Sequence, residues 1–266
     1  MTNEGHRIIG IGATASVYEY GEEKVIKVFN EDIHEAGIIR EFDNNRCAYE
    51  QGISVPQVFN IIKKDGKTAI VMERVMGESF LKAIMQSPDK CLKLSKKFAE
   101  IQYKMHGCKT SRLRTLQEHF TERINCSQDL NNKEKAELQA LLMAQKEDYS
   151  ICHNDFHPDN VIYTESKDTI IDWCDATSGN PWADVARTML ALESTSLPPG
   201  IPKEIAIMIN LGRGEVKKAY EERYCELAGV KELPIQEWKV IVAASRLSCS
   251  NLDEKIVNLK IVHDFL

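Results

Sequence analysis

The sequence has no paired cysteine motif, no long apolar run and no excess of positive charge, and each lack narrows what the chain can be. Its eight cysteines are scattered, without a Cys-x-x-Cys pair, so free and mostly buried thiols are expected rather than disulfides. Cys152, His153, His157 and Cys174 have metal-ligand chemistry, but their spacing fits no zinc pattern. No stretch is apolar for long enough to span a bilayer, and residues 1–5 carry no basic-then-apolar leader. A cytoplasmic protein with no membrane partner is therefore expected. With 34 Lys/Arg against 40 Asp/Glu the formal net charge is −6, which speaks against a nucleic-acid partner. The acidity is not gathered for a cationic substrate either, since residues 1–75 and the remainder each balance at −3. No internal repeat or low-complexity segment interrupts the chain. What remains is 266 residues, 43% hydrophobic and 28% charged, the composition of a globular chain with one two-part domain or two small ones.

The most informative stretch is Cys152-His153-Asn154-Asp155-Phe156-His157-Pro158-Asp159-Asn160. It reads as His-x-Asp, an Asn five residues later, a short apolar run, and a second carboxylate, Asp172, after another apolar run. Phosphoryl transfer needs parts in that order: a carboxylate to hold the attacking hydroxyl, then an Asn and an Asp to hold metal.

The front of the chain is strand-like. Arg7–Gly12, Ser16–Tyr20 and Lys24–Phe29 alternate apolar and polar positions, with Gly21 as a turn. Across the first turn lies Gly10-Ile11-Gly12-Ala13-Thr14-Ala15-Ser16-Val17, whose small residues would let backbone N–H groups approach phosphate oxygens. Two glycines between strands can equally mark a simple hairpin. Lys27 places one cation inside the apolar strand Val25–Val28, either on the solvent face of an edge strand or as a phosphate ligand held by a helix glutamate. The next segment, with Ile38, Phe42, Ala48 and Tyr49 at helical spacing, ends at Gly52. It offers Glu41 as that partner, with Asp43 and Glu50 as alternatives. A hairpin follows, Gln57–Lys63 and Lys67–Glu73, turning at Asp65-Gly66. Its second strand runs into Met72-Glu73-Arg74-Val75-Met76-Gly77, a natural boundary.

The remainder reads as helical. Ser87-Pro88 suits a helix start, with Leu94, Phe98, Ile101 and Met105 on one face and His106-Gly107 at its end. His106 suits a structural role. Residues 108–130 show no clear period, and 131–147 suggest an exposed amphipathic helix carrying Leu138, Leu141 and Leu142. A helix is expected from Trp182 to Leu192. Asp184 in its first turn suits tying down a loop, and Asp175 suits capping one. Pro198-Pro199-Gly200 breaks the chain, and further helices are expected at 202–211, 215–228, 234–249 and 253–264.

Taken together, residues 10–184 resemble the protein-kinase-like small-molecule phosphotransferases, the aminoglycoside phosphotransferase and choline kinase group. The matching parts are the Gly10–Val17 loop, Lys27, Glu41 with Val55-Pro56, Val71-Met72-Glu73 and Gly77. The others are His153-x-Asp155, Asn160, Ile171-Asp172-Trp173, Gly179-x-Pro181 and Asp184. Asn154 stands where the family usually has glycine. Trp173 after the metal aspartate, and the lack of an Ala-Pro-Glu segment, separate the chain from protein kinases.

The resemblance implies an α+β, protein-kinase-like two-lobed fold. Residues 1–75 would form a nucleotide-binding lobe, an antiparallel sheet with one helix, and 76–266 a mainly helical catalytic and substrate lobe. It implies ATP, with GTP as an alternative, under a loop made by Gly10, Gly12, Thr14, Ala15, Ser16 and Val17. Lys27 and Glu41 would serve the phosphates, and Met72, Glu73 and Val75 the adenine. Asn160 and Asp172 would hold Mg²⁺, and Asp155 would be catalytic, with His153 shaping its loop. The partner would be a small-molecule hydroxyl acceptor, such as an aminoglycoside, choline or ethanolamine, a sugar or a ketosamine. The chain would act as a monomer or homodimer. A nucleotide-binding pseudokinase and a protein kinase are the alternatives.

Overall fold

Short alternating strands with glycine turns close into a sheet at the front of the chain, and apolar helical stripes build the rest. The computed structural model describes residues 7–12, 14–194, 203–249 and 252–266. The leader reading at residues 1–5, Ala13 of the glycine-rich loop and the Pro198-Pro199-Gly200 break lie outside the described residues. In chain order the elements begin β1 (Ile8–Ile11), β2 (Ala15–Glu19), β3 (Lys24–Phe29), α1 (Glu35–Glu50), β4 (Val58–Lys64), β5 (Lys67–Glu73), β6 (Glu78–Ser79) and α2 (Phe80–Gln86). They continue α3 (Cys91–His106), α4 (Leu116–Cys126), α5 (Asn132–Met143), β7 (Ser150–Cys152), β8 (Val161–Tyr163), β9 (Asp168–Ile170) and β10 (Thr177–Gly179). The last are α6 (Pro181–Glu193), α7 (Lys203–Ala228), α8 (Gln236–Arg246) and α9 (Leu252–His263). The chain forms two compact units, the first from Met1–Phe80 and Asp159–Ala176, the second from Leu81–Pro158 and Thr177–Leu266.

In the first unit the sheet order is β1-β2-β3-β5-β4, antiparallel throughout. Asp65 and Gly66 both take positive φ, 50° and 81°, which gives the β4–β5 hairpin the turn that matches strand twist. Successive residues of β3 point to opposite faces. Ile26 and Val28 pack on one face with Ala69 and Val71. Phe29 packs on the other, with Ala15, Val58, Ile70 and Ile38 of α1. Lys27 shares Phe29's face, its ammonium 5.2 Å from that ring, so it points toward α1 and not to the solvent face of an edge strand. On α1, Ile38, Glu41, Asn45 and Ala48 form one buried stripe. Tyr49, read as part of the apolar face, is exposed.

The unit's second segment supplies β8 and β9, which extend β6 into a three-stranded antiparallel sheet. Gly77 (φ +133°) sits against it, and an added Cβ would lie 2.5 Å from the Tyr163 carbonyl oxygen. Only glycine fits there. Trp173 is fully buried, donating from Nε1 to the Ile170 carbonyl, while Asn44 of α1 donates to the Trp173 carbonyl at 2.9 Å. That anchors the chain beside Asp172.

In the second unit Ile124, Leu130, Leu138, Val240, Ala243, Leu247 and Val262 join α4, α5, α8 and α9 around one core. Elsewhere Phe98 of α3 stacks on Phe156 at 4.4 Å and packs against Tyr220 of α7. The helical reading needs three corrections here. Ser87-Pro88 opens only a 3-10 turn, Pro88–Lys90, and α3 begins at Cys91 without a side-chain cap. Residues 108–130 contain α4, held by a Thr115–Glu118 capping box and buried through Leu116, Phe120 and Ile124 at four-residue spacing. The helices expected at 202–211 and 215–228 are one continuous α7. Each interior glycine costs a helix only about 1 kcal/mol, and burial of Ala219, Tyr220 and Tyr224 outweighs Gly212 and Gly214. All eight cysteines are free, four of them buried. No helix among the described residues is long and apolar enough to cross a membrane.

Candidate active site

In the first unit Lys27 Nζ donates to Glu41 Oε1 at 2.5 Å and to Asp172 Oδ1 at 3.2 Å. β3, α1 and the turn after β9 thus deliver one group each. Of the three helix carboxylates considered, Glu41 is the partner. Asp43 instead pairs with Arg46 on the surface, and Glu50 is exposed. Burial pulls the Lys27 ammonium down, but the charges of Glu41 and Asp172 outweigh it and hold Lys27 above its ordinary range. Asp172 takes φ +66°, an uncommon conformation for a residue with a Cβ, and uses only Oδ1 on Lys27. Asn160 is buried at the end of a 3-10 turn, Pro158–Asn160, and its carbonyl accepts the N–H of Ile171 at 2.9 Å. That bond ties Asn160 to the residue before Asp172.

The glycine-rich segment is the β1–β2 turn. Gly10 pairs with Val17 and Ile11 with Ser16, and Gly12 N–H reaches the Ala15 carbonyl at 2.9 Å. Ala15 is core, whereas Thr14 is exposed and Ser16 half-buried. A Cβ at Gly12 would meet only the Ala15 carbonyl oxygen, at 3.5 Å, and one at Gly10 only Val17, at 3.7 Å. The fold itself does not demand glycine at either position. On β5, Met72 packs against the sheet core, and Glu73 Oε2 accepts the Gln57 N–H at 3.0 Å. Val75 lies half-buried in the extended link that follows β5.

Asp155 belongs to the second unit. The segment after β7 turns sharply at Asn154 (φ +61°), which explains why glycine suits this position. Asn154 Nδ2 donates to Thr177 Oγ1 at 2.8 Å. Asp184, fully buried in α6, accepts the backbone N–H of His153 at 3.1 Å and of Asn154 at 2.6 Å. His106 Nε2 lies 3.0 Å from the same carboxylate, and its Nδ1 lies 2.7 Å from the Tyr224 hydroxyl. Asp184 and His106 are therefore structural: they fix the backbone that carries Asp155. His153 Nδ1 adds a bond from Asp155 N–H at 3.3 Å.

The Asp155 carboxylate itself meets Arg187 Nη2 at 2.6 Å and lies 3.5 Å from His157 Nε2. Burial pushes this carboxyl up. The hydrogen bond from His157 and the charges of Arg187 and Arg246 outweigh burial and hold it far below the usual carboxylate range. Reading the sequence missed Arg187 and Arg246. Arg187 carried a usable signal, the one that singled out Lys27: a lone cation in an apolar run, here Val185-Ala186-Arg187-Thr188-Met189-Leu190.

An α+β fold with this antiparallel sheet, a helix-borne Glu on a strand Lys and a His-x-Asp loop defines a protein-kinase-like phosphotransferase. The model of the phosphotransferase enzyme family, APH, matches residues 6–227, and the chain belongs to that family. Among curated proteins no relative matches it. Among solved structures it is similar to amicoumacin kinase hAmiN in complex with AMP-PNP, Ca²⁺ and Ami, at 16% identity over 99% of this chain and 88% of that one, TM-score 0.62. It is also similar to the aminoglycoside phosphotransferase APH(3'')-Id of Streptomyces rimosus with ADP and streptomycin, at 17% identity over 88% and 91% of the two chains, TM-score 0.60. A choline/ethanolamine kinase family protein from Mesorhizobium loti matches at 16% identity over 99% and 81%, TM-score 0.55. At these identities the likeness shows the fold.

Proposed function

We propose that the chain is an ATP-dependent phosphotransferase that moves the γ-phosphate to a hydroxyl of a small molecule. The observation that carries this reading is Lys27 bonded at once to Glu41 and Asp172 inside one unit. A fold needing only stability has little use for two carboxylates gathered on one half-buried ammonium, because burying charge is costly. In the reading, Lys27 is oriented by Glu41 to meet nucleotide phosphates, and the Gly10–Val17 turn offers backbone N–H groups to them. Met72, Glu73 and Val75 line the base.

Asp172 and Asn160 suit Mg²⁺ as hard oxygen donors, and Asp172 Oδ2 has no protein partner among the described residues. Bound there, the metal would neutralise phosphate charge. Asp155 accepts a hydrogen bond from the acceptor hydroxyl and aligns it for in-line attack. Its cationic neighbours, His157, Arg187 and Arg246, hold it ionised and ready to accept that hydrogen bond. Its contribution is orientation, which suits a loose transition state. A relative solved with GDP and kanamycin, similar at TM-score 0.60 and 14% identity, keeps GTP in view as donor.

The test is a nucleotide titration of wild-type and Lys27→Met chains with ATP and GTP, with and without Mg²⁺. ADP release is then measured over a panel of hydroxyl acceptors. The expected result is Mg²⁺-dependent nucleotide binding weakened at least about tenfold in Lys27→Met, one lost charge-assisted contact, and acceptor-dependent ADP release. Equal nucleotide affinity in the two chains would remove the reading's foundation.

A further inference from the structure

The groups around Asp155 bear on the charge of the acceptor, a question that rests on the phosphotransferase reading above. An aminoglycoside acceptor is polycationic and is best held by carboxylates free to pair, whereas the quaternary ammonium of choline can also be held by aromatic faces. Among the described residues of the second unit, several acids of the helices α6 and α9 are already engaged. Glu193 holds Lys217 at 2.7 Å and Lys239 at 2.8 Å, Glu254 holds Arg246 at 2.6 Å, and Asp184 is spent on the loop backbone.

The cations, by contrast, have donors to spare. Arg187, more than nine-tenths buried, gives only Nη2 to Asp155, and its Nε is buried without any hydrogen-bond partner. Arg246 gives Nε to Glu254 and has no other partner among the described residues. Its helix α8 packs against α6, which carries Arg187, and the Arg246 charge acts on both Arg187 and Asp155. A guanidinium is a planar fork built for bidentate recognition of carboxylate or phosphate. A buried fork left half used is costly unless a ligand completes it.

We propose that the acceptor is a hydroxy compound bearing an anionic group, a carboxylate or a phosphate, received by Arg187 and Arg246 beside the hydroxyl that Asp155 orients. Because Arg187 touches Asp155 directly, an anion held by Arg187 lies within a few bonds of the reacting oxygen. Glycerate or glycerol 3-phosphate has that shape. The two Arg side chains come from α6 and α8, so recognition is set by the helical unit alone.

The experiment uses the full chain with MgATP and pairs of acceptors that differ in charge: glycerate, glycerol 3-phosphate and glycerol; gluconate and glucose; with kanamycin and choline as cations. The anionic member of a pair is expected to show kcat/KM at least about tenfold above its neutral partner, the scale of one charge-assisted hydrogen bond. Arg246→Met should reduce that preference by about tenfold. The carboxylate and phosphate arms show which anion is preferred. Kanamycin or choline as the best acceptor, or a preference intact in Arg246→Met, overturns the proposal.

Thermal unfolding with MgADP and the same compounds decides the case if no acceptor turns over. Stabilisation by an anion that is lost in Arg246→Met supports the proposal, and no stabilisation by any anion overturns it. Nucleotide titration keeps the two readings apart. A chain that binds MgATP but responds to no anion loses only this inference, whereas one that binds no nucleotide loses the phosphotransferase reading as well.

Discussion

In the first unit one cation, Lys27, is shared by two carboxylates, Glu41 and Asp172. In the second, one carboxylate, Asp155, touches Arg187 and His157 and feels Arg246. The two clusters are electrostatic opposites, and the contrast follows what each must receive. A surplus of carboxylate oxygen suits a metal cation riding on phosphate. A surplus of guanidinium suits an anion and leaves a carboxylate ionised and fixed in direction. The same principle, opposite charges drawn together by burial, thus yields a cation shared by carboxylates in one place and a carboxylate held by cations in the other; in the proposed function the first would receive a metal and the second would orient a hydroxyl.

The largest way to break the contrast is to remove the cation of the first cluster. Lys27→Ala leaves Glu41 and Asp172 facing each other, with Glu41 buried. Losing one partner of a buried pair costs about 3–5 kcal/mol, so chemical denaturation should show a loss approaching that range, discounted for the part of Lys27 that water reaches. Glu41→Gln in the same background should restore part of it.

Next in size is the reverse operation on the second cluster. Arg187→Met removes one of the charges that, with the His157 hydrogen bond, hold the Asp155 carboxyl low, so the acid limb of the kcat profile should move to higher pH. The rate at neutral pH should fall by about 10- to 100-fold, the size of a lost charged contact. Arg187→Lys should recover charge but not the fork, and so recover only part of the rate. A purely structural Arg187 would lower stability and leave the pH profile in place.

A smaller effect concerns acid. Burial works against the ionised forms of Asp155 and Asp184, but His157 and Arg187 at the first and His106 at the second outweigh it, so both carboxyls are held below their ordinary range. The unfolded chain then binds more protons than the folded one. Their contribution is fully present above the ordinary carboxylate pKa near about 4 and is lost as pH falls below it. Unfolding midpoints should drop steadily as pH falls below about 4. The double variant Asp184→Asn/His106→Gln should flatten that drop.

The smallest effect is expected at Asn154. Glycine takes φ +61° without strain but loses the bond to Thr177. The two changes oppose each other, so Asn154→Gly should shift stability by no more than about 1 kcal/mol, whereas Asn154→Val should cost more.

Much of the first unit was legible from its sequence, because its signals are local. Alternation, Asp65-Gly66 and Gly52 mark strands, turn and helix end within a few residues. Lys27 stands out as a cation in an apolar strand. Sequence alone could not choose among Glu41, Asp43 and Glu50, since that depends on which stripe of α1 faces the sheet.

The second unit was read less well for physical reasons. Helix α4 hides in a polar stretch because its buried apolar positions, Leu116, Phe120 and Ile124, come only every fourth residue and its other buried residue is His119, although Thr115 and Glu118 announce its start. Helix α7 runs unbroken through Gly212 and Gly214 because burial of Tyr220 and Tyr224 overrides glycine's low helix propensity, a packing effect that the local sequence does not display. Asp155 was found from its spacing to His153 and Asn160. Its partners were not, because Arg187 and Arg246 come from helices distant in sequence, and only packing shows that they converge.

The proposed function divides the labour between the two clusters, with nucleotide held through Lys27 and Asp172 and the hydroxyl aligned by Asp155. Its most direct test measures AMP-PNP affinity with Mg²⁺ and single-turnover phosphoryl transfer side by side in Asp155→Ala and Asp172→Ala. The account predicts that Asp155→Ala binds nucleotide within about twofold of wild type yet loses transfer by about 10³-fold or more, while Asp172→Ala loses both. Near-wild-type transfer in Asp155→Ala, or unchanged Mg²⁺-dependent binding in Asp172→Ala, would contradict it.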